Sequence, residues 1–413
     1  MAASTPRSES WNGPGTRELV ALMAALMASN ALAIDAMLPA LPAIGDALSV
    51  ATDNRRQLVI TAYLIGFGIA QLVYGPLSDR FGRKRLLMLS LALYAVFATA
   101  SGLAASFNLL LGARMLQGVA AAGTRVLVVA IVRDRYQGSG MARIMSLVMI
   151  IFMIVPILAP SFGQGVLLIS SWRHIFIGLA VYGLVLALWA GLRLPETLAP
   201  ELRRSLSVRA VGQAVAETLR TRIAIGNTLA STLAFGGLFA FIGSIQQIVF
   251  DVFGRPELIG IVFACVAGPM AMASYANSRL VTRFGPRRLL LYALTAFSLA
   301  ALLHLVVAVA AGETLWSFVV LQALTMACFG LVGANAGALA MGPLGHIAGT
   351  ASSVQGVIGT VGGAVIGYII GQNFDGTTLP FLIGFALCGF AALAIATWTN
   401  REKPPAAAAG APG

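Results

Sequence analysis

Apolar positions along this chain follow neither the alternation of a strand nor the stripe of a surface helix. They run on in blocks of about twenty or more residues, separated by short polar stretches. A block of that length crosses a ~30 Å hydrocarbon core as an α-helix at about 1.5 Å per residue. Twelve blocks stand out, at about 18–39, 57–76, 86–105, 108–132, 142–168, 172–193, 223–249, 257–279, 288–310, 314–340, 349–372 and 378–398. The first follows a polar stretch, MAASTPRSESWNGPGTRE, and lacks a short apolar core with a small-residue cleavage site. It is expected to be a retained span and not a signal peptide. The pattern predicts an all-α membrane protein with twelve transmembrane helices.

Composition sharpens this picture. Of 413 residues 58% are hydrophobic and only 10% charged, with a mean hydropathy of +0.87, whereas soluble domains carry about a quarter charged residues. The formal net charge of +12 is split among short loops. Of 27 Lys and Arg, 21 fall on the side that holds both termini, four on the other side (Arg55, Arg56, Arg173, Arg255), and two, Arg114 and Arg125, inside a span. The positive-inside rule therefore places both termini in the cytoplasm. Charge spread this way faces anionic lipid, so no nucleic-acid partner is expected. Cys265, Cys328 and Cys388 lie within spans without metal-type spacing and read as packing residues. Trp172, Trp316 and Trp398 fall at span ends, where an aromatic belt would place them.

The chain is internally repeated. GPLSDRFGRKRLL begins at Gly75 and SRLVTRFGPRRLL at Ser278, and this offset aligns Leu77 with Leu280, Arg80 with Arg283, Phe81 with Phe284, Gly82 with Gly285 and Arg85 with Arg288. The same offset carries Pro156 and Pro160 onto Gly359 and Gly363. A six-plus-six duplication follows, of the kind found in transporters whose site lies between the halves near the midplane. The expected organisation is a tail at 1–17, a six-helix bundle at 18–193, a connector at 194–222, a second bundle at 223–400 and a disordered tail at 401–413. In the connector, Val211, Val215 and Leu219 recur at helical spacing among charges, as in an amphipathic helix on the inner leaflet.

At this point the chain resembles the major facilitator superfamily. Residues 75–85, GPLSDRFGRKR, match its loop signature G-x-L-x-D-R-x-G-R-[RK]-x, and LLLGARMLQGVAAAG (109–123) resembles its fourth-helix motif. APSFGQ (159–164) resembles the antiporter motif G-P-x-x-G-G, with Ala159 and Gln164 in place of two glycines. More narrowly, IDAMLPALP (34–42), IVRDRY (131–136), SWRHIF (171–176) and PLGHIAGTASS (343–353) resemble the bicyclomycin/chloramphenicol-resistance (Bcr/CflA) branch of drug:proton antiporters. The resemblance implies the two-bundle, pseudo-symmetric major facilitator fold, with Asp35 at the first-helix acid and Arg114 at the fourth-helix basic position. Arg125 lies outside the recognised pattern.

The residues themselves support candidate roles. In the 75–85 loop, Gly75 and Gly82 allow a tight turn, and Asp79 can offset Arg80 or Arg83 as a cytoplasmic latch that breaks when the halves rock; a plain positive anchor is the alternative. Thr282 replaces the acid in the second copy. Pro156, Pro160, Gly359 and Gly363 can serve close packing or kinks. Asp35, Arg114 and Arg125 are ionisable groups within spans, which normally face a bundle interior or aqueous cavity and mark a pathway. For Asp35 the bland alternative is a cap at an early helix end before Pro39 and Pro42. If buried, its carboxyl is pulled between desolvation and a nearby arginine. Asn30, Tyr63, Gln71, Gln117, Arg125, Gln246, Gln247, Gln322, Asn335 and Gln355 are candidates to line a substrate cavity, and several would instead bond helix to helix. His304, with no acid seen beside it, reads as a helix contact.

The expected function is a proton-coupled efflux antiporter of the bacterial inner membrane working by alternating access. It would export small lipophilic neutral, zwitterionic or weakly anionic compounds, since the three intramembrane charges sum to a surplus of cation. A proton-coupled symporter importing a metabolite, or a non-transporting membrane sensor, are the alternatives. No enzymatic activity, metal or cofactor is expected; the proton is the coupling ion. The expected partners are a drug-like small molecule and the lipid bilayer, with the protein a monomer.

Overall fold

The computed structural model describes residues 13–401, except 137, 200 and 202–207. Most of the N-terminal tail, Arg203 and Arg204 of the connector, and the tail after Arg401 lie outside the described residues. The first half contains α1 (Thr16–Asp35), α2 (Leu58–Phe81), α3 (Arg83–Gly102), α4 (Phe107–Arg135), α5 (Gly138–Ile169) and α6 (Trp172–Arg193). After a connector helix, Val208–Arg220, comes α7 (Arg222–Gln247). Ten stretches are long and apolar enough to cross a membrane, and two of them run to 56 and 58 residues. At about 1.5 Å per residue each of these two is far longer than a bilayer core.

Both long stretches fold back once. Gly285 (φ 74°, ψ 156°) divides the first into α8 (259–284) and α9 (286–311). The 3-10 turn Gly342–Ile347, with Leu344 out of helical geometry, divides the second into α10 (Leu315–Met341) and α11 (348–372). Helix α12 (Leu379–Thr399) completes twelve crossings. The turn between α2 and α3 hinges on Gly82, at φ 93° and ψ 158°. Gly82 and Gly285, aligned by the sequence repeat, thus adopt the same backbone conformation, one that a side chain strongly disfavours. The duplication is written into the backbone as well as the sequence.

The first block does not continue as one helix to residue 39. Helix α1 stops at Asp35 and is followed by a 3-10 turn, Leu38–Ala40, and a short helix, Leu41–Ala47. Pro39 and Pro42 stand in the opening turns of those two pieces. Proline has no N–H to give and biases the residue before it away from helix, so the break belongs where it falls.

In the first half α1 packs on α5, α2 and α3 on α4, and α3 on α6; in the second, α7 packs on α11 and α12, and α9 on α12. Two seams join the halves. Along one, Gly68 of α2 faces Thr360 and Val361 of α11, and Gln71 donates to the Thr360 hydroxyl at 3.2 Å. Along the other, Ser161 of α5 meets Gly260 of α8, and Gln164 donates to the Pro256 carbonyl at 3.2 Å. Leucines and valines such as Leu168, Leu188, Val309 and Val320 stay exposed on the perimeter, as a lipid-facing surface requires.

Three expectations shift in detail. Trp172 is buried, edge-on to Phe176 and under the Arg173 guanidinium, so only Trp316 and Trp398 of the three are exposed in the manner of a belt. The cysteines differ among themselves: Cys388 is buried, Cys328 partly so and Cys265 exposed. The connector helix buries Ala214 and Thr218 while Leu219 is exposed; its buried edge lies one residue from the apolar spacing, because it rests on α7 and α11.

Gly82→Ala should destabilise the protein more than Gly285→Ala. Both incur the backbone strain, about 1–3 kcal/mol, but a Cβ at Gly82 also runs into the Glu196 carboxylate, whereas at Gly285 it meets open space. Thermal unfolding of the two variants in detergent, compared with the parent, measures the difference.

Candidate functional site

Asp35 is buried, 4% exposed, and its Oδ1 has no hydrogen-bond partner among the described residues. It is the last residue of α1, so the helix does end there, but the site is closed over. Gly163 of α5 lies directly on the Ala36 carbonyl and beside the Pro39 ring, where any Cβ would collide. Gly163 belongs to the APSFGQ stretch, so the segment resembling the antiporter motif is what brings α5 down beside the break in α1.

Arg114 is fully buried. Its Nη2 donates to the Ala33 carbonyl at 2.8 Å, Nε to the Val59 carbonyl at 3.2 Å and Nη1 to Gln117 Oε1 at 2.8 Å. The guanidinium carbon lies 4.5 Å from the Tyr63 ring centroid and 5.7 Å from that of Phe176. No ion pair joins it to Asp35 among the described residues, contrary to the balance expected from sequence. The reason is local: the last four carbonyls of a helix lack intrahelical partners and carry its negative pole. Ala33 lies in that last turn, and Arg114 caps it instead of pairing with the acid two residues on.

A neutral network extends from there. Tyr63 donates to Asn30 Oδ1 at 3.0 Å, and Asn30 Nδ2 to Thr124 Oγ1 at 3.0 Å. The Ser29 and Thr124 hydroxyls lie 3.3 Å apart, and the Tyr94 hydroxyl donates to the Ser29 carbonyl at 3.2 Å. Asn30, Tyr63 and Gln117 are thereby engaged inside the first half in this conformation. Ser29, Tyr94 and Thr124 were not singled out from sequence, since isolated hydroxyls in a span carry no distinctive pattern.

The remaining cavity candidates sit mostly between helices. Gln71 occupies the α2–α11 seam. Asn335 donates to Asn277 Oδ1 at 2.6 Å, joining α10 to α8. Gln355 is half-buried with its amide against Met341 Sδ at 3.3 Å. Gln246 and Gln322 are buried with side-chain atoms that have no partner among the described residues. Arg125 alone of the set is exposed, its guanidinium carbon 5.9 Å from the Phe67 ring. Pro156 and Pro160 are both carried inside α5. Gly359 lies in a π-helical turn, Ile358–Gly362, with open space where a Cβ would be, while Gly363 abuts Phe235 and Phe239.

At the termini-bearing face, Asp79 pairs with Arg83 at 2.7 Å, and Arg83 reaches Asp134 at 3.1 Å and the Ser78 hydroxyl. Arg80 instead lies over the Phe81 ring. Glu196 accepts from the backbone N–H of Arg83 at 2.8 Å and of Lys84 at 3.2 Å, satisfying open donors at the start of α3. These bonds tie α2, α3, α4 and the segment after α6, all within one half, so the latch braces that half internally; Gly75, one turn earlier, faces Ser353 across the seam. Asp134 and Glu196 were missed as partners, because nothing in sequence places them at Arg83. In the second copy Thr282 bonds to the Arg279 carbonyl of its own helix.

The opposite face carries a clasp between the halves made of amides. Gln57 donates to Gln247 Oε1 at 2.5 Å and to the Gly371 carbonyl at 3.3 Å; Gln247 donates to Asn54 Oδ1 at 2.7 Å. Asn54 donates to the Gln372 and Phe374 carbonyls at 3.1 and 3.0 Å, and Gln372 returns a bond to the Asn54 carbonyl at 2.7 Å. Near this face His304, expected to lack an acid, meets Glu313 at 2.6 Å, and Thr378 donates to the same carboxylate. The acid lies beyond the end of α9, which brings it back over the histidine.

Two packed helical halves, built of stretches apolar enough to cross a membrane and holding ionisable groups inside, have the form of a polytopic membrane carrier. The family profile of the Major Facilitator Superfamily matches residues 23–365 and 228–412. The chain belongs to that superfamily. It is 32% identical over 369 residues to the MFS-type transporter YdgK of Bacillus subtilis, covering 88% of this chain and 90% of that one. It is 28% identical over 359 residues to the bicyclomycin resistance protein homolog of Haemophilus influenzae, covering 86% and 89%. It is 29% identical over 366 residues to the multidrug resistance protein MdtL of Salmonella paratyphi C, again covering 86% and 89%. Among solved structures, the human organic anion transporter MFSD10 superposes with a TM-score of 0.64 over 94% of this chain and 99% of the other, at 18% identity. The protein is a multi-pass membrane transporter.

Replacing Arg114 by Gln should strand the buried Ala33 carbonyl at the end of α1, at about 1–3 kcal/mol for an acceptor left unpaired. Asp35→Asn, by contrast, breaks no hydrogen bond seen at the site. A large drop in melting temperature in detergent for the first variant and a small change for the second is the expected outcome.

Proposed function

We propose that the protein is a proton-coupled efflux antiporter that exports small lipophilic neutral, zwitterionic or weakly anionic compounds by alternating access. The observation that carries the reading is Asp35: a dry carboxyl, without a counter-ion, at a break in the first spanning helix. A bare carboxylate in such a place is costly, whereas a protonated one is tolerated. A movement that wets the break releases the proton, and one that closes it demands the proton back. The names of the relatives, which include bicyclomycin and multidrug resistance proteins, support an exported drug-like cargo.

In this reading the termini-bearing face is cytoplasmic and the membrane is the bacterial inner membrane, as the distribution of arginine and lysine favours. The bundles at 18–193 and 223–400 rock against each other along the α2–α11 and α5–α8 seams. With the amide clasp closed and Asp35 still buried, the carboxyl carries its proton. Water reaching Asp35 from the cytoplasm takes its proton, and the deprotonated, inward-open state loads cargo; protonation from outside then favours release. Arg114 fixes the geometry of the break and leaves the proton to Asp35.

Everted vesicles with an acid interior test this, with chloramphenicol and bicyclomycin as probes. The parent should accumulate a probe when the interior is acidified, and Asp35→Asn should lose this while still exchanging labelled for unlabelled probe. Undiminished acid-driven accumulation by the variant would refute the role of Asp35. Loss of probe from the acid lumen, with accumulation when the gradient is reversed, would make the protein a symporter.

A further inference from the structure

We infer that Arg125 is an anion-binding anchor, and that the protein's preferred cargo carries an aromatic or lipophilic body with one carboxylate or comparable anionic group. The inference rests on the transport reading above and narrows its cargo. Arg114 and Arg125 are eleven residues apart on α4, which at 3.6 residues per turn places them within about 20° of each other. One face of one helix thus presents two guanidinium groups, and the structure treats them in opposite ways. Arg114 is buried with three hydrogen bonds. Arg125 is exposed and, among the described residues, makes no hydrogen bond or ion pair; its recorded neighbour is the Phe67 ring.

The exposure is not to a loop or to lipid. Arg125 lies ten residues before the end of α4 at Arg135, about 15 Å along the axis, so it is well inside the membrane. The other sides of α4 at this level are occupied. Helix α1 covers one flank, where Thr124 meets Ser29 and Asn30. Helices α2 and α3 cover the back, where Gly123 abuts Tyr74 of α2 and Ser90 of α3. The proposed anchor thus faces the space between the halves, whose seams are α2 against α11 and α5 against α8.

A guanidinium held at membrane depth without a protein acid is an unmet electrostatic demand. It offers up to five donors in a planar fork that matches a carboxylate in two parallel bonds. Charge-assisted bonds of this kind are worth more where water is scarce. Phe67 alongside adds an apolar surface for the body of the same ligand, and a permanent cation would be repelled. Asp35 does not compete for the guanidinium, because it is sealed beside Gly163 on the far side of the break in α1.

The test uses 3-phenylpropionate and its uncharged amide with the full-length protein in detergent and in proteoliposomes. In thermal-shift titrations the parent should bind the carboxylate about tenfold or more tightly than the amide. That preference should vanish in Arg125→Gln and survive in part in Arg125→Lys. No preference in the parent, or an undiminished preference in Arg125→Gln, would overturn the inference. A preference that depends on Arg125 while neither probe is moved by an acid gradient would uphold the anchor and count against efflux.

Discussion

A fully buried guanidinium has to satisfy its donors within reach, and at Arg114 that requirement organises the first half. Its bonds draw together the last turn of α1, the first turn of α2 and the body of α4, with Tyr63 and Phe176 stacked about the charge. Because the donors are spent on carbonyls, the acid two residues beyond Ala33 is left without a cation. An ion pair there would have been mutually satisfying and inert. Committing the arginine to backbone is what leaves a lone carboxyl beside the break. Removing one member of such an arrangement acts on neighbours that it never touches, since the position of α1 and the dryness of Asp35 share a cause.

The two halves share a scaffold but divide the chemistry unevenly. The offset that superimposes Gly82 on Gly285 carries Asp35 onto Leu238, Arg114 onto Ser317 and Arg125 onto Cys328. The second half therefore has none of these three charges at the corresponding places. It contributes surfaces: Phe235 and Phe239 against Gly363, and the face of α11 against α2. The first half holds these three charges, while the second keeps the His304–Glu313 pair near the clasp and provides the wall opposite. A duplicated fold allows this, since each copy needs to keep only the turns and helix contacts that make it pack.

The architecture was legible because its signals are long and redundant. Twelve apolar blocks, a repeated loop and glycines at matched hinge positions all point to the same fold. The break at Asp35 was half legible: Pro39 and Pro42 announce it, but the closing contact from Gly163 is a feature of three dimensions. Asp35, Arg114 and Arg125 were visible because charges within spans are rare. What Arg114 bonds to was not, since backbone carbonyls look alike in every sequence. Asn54, Gln57 and Gln372 escaped, and Gln247 read only as a cavity candidate, because amides at span ends resemble ordinary loop residues until the two halves are docked. Glu313 was missed beside His304 for a related reason, lying past the helix end instead of one turn along it.

The amide clasp has a consequence of its own. Asn54, Gln57, Gln247 and Gln372 hold the halves together with strong directional bonds, yet none of them titrates and none carries a net charge. The amide bonds themselves therefore form alike in acid and in neutral medium. Charged pairs exposed to solvent weaken as salt screens them, but neutral amides have little to screen. Nor does parting these side chains move formal charge through the transmembrane voltage, which acts only on charge displaced across it. The joint is electrically silent, a spring of fixed stiffness, and any sensitivity to voltage or proton gradient is left to the few ionisable groups inside the fold.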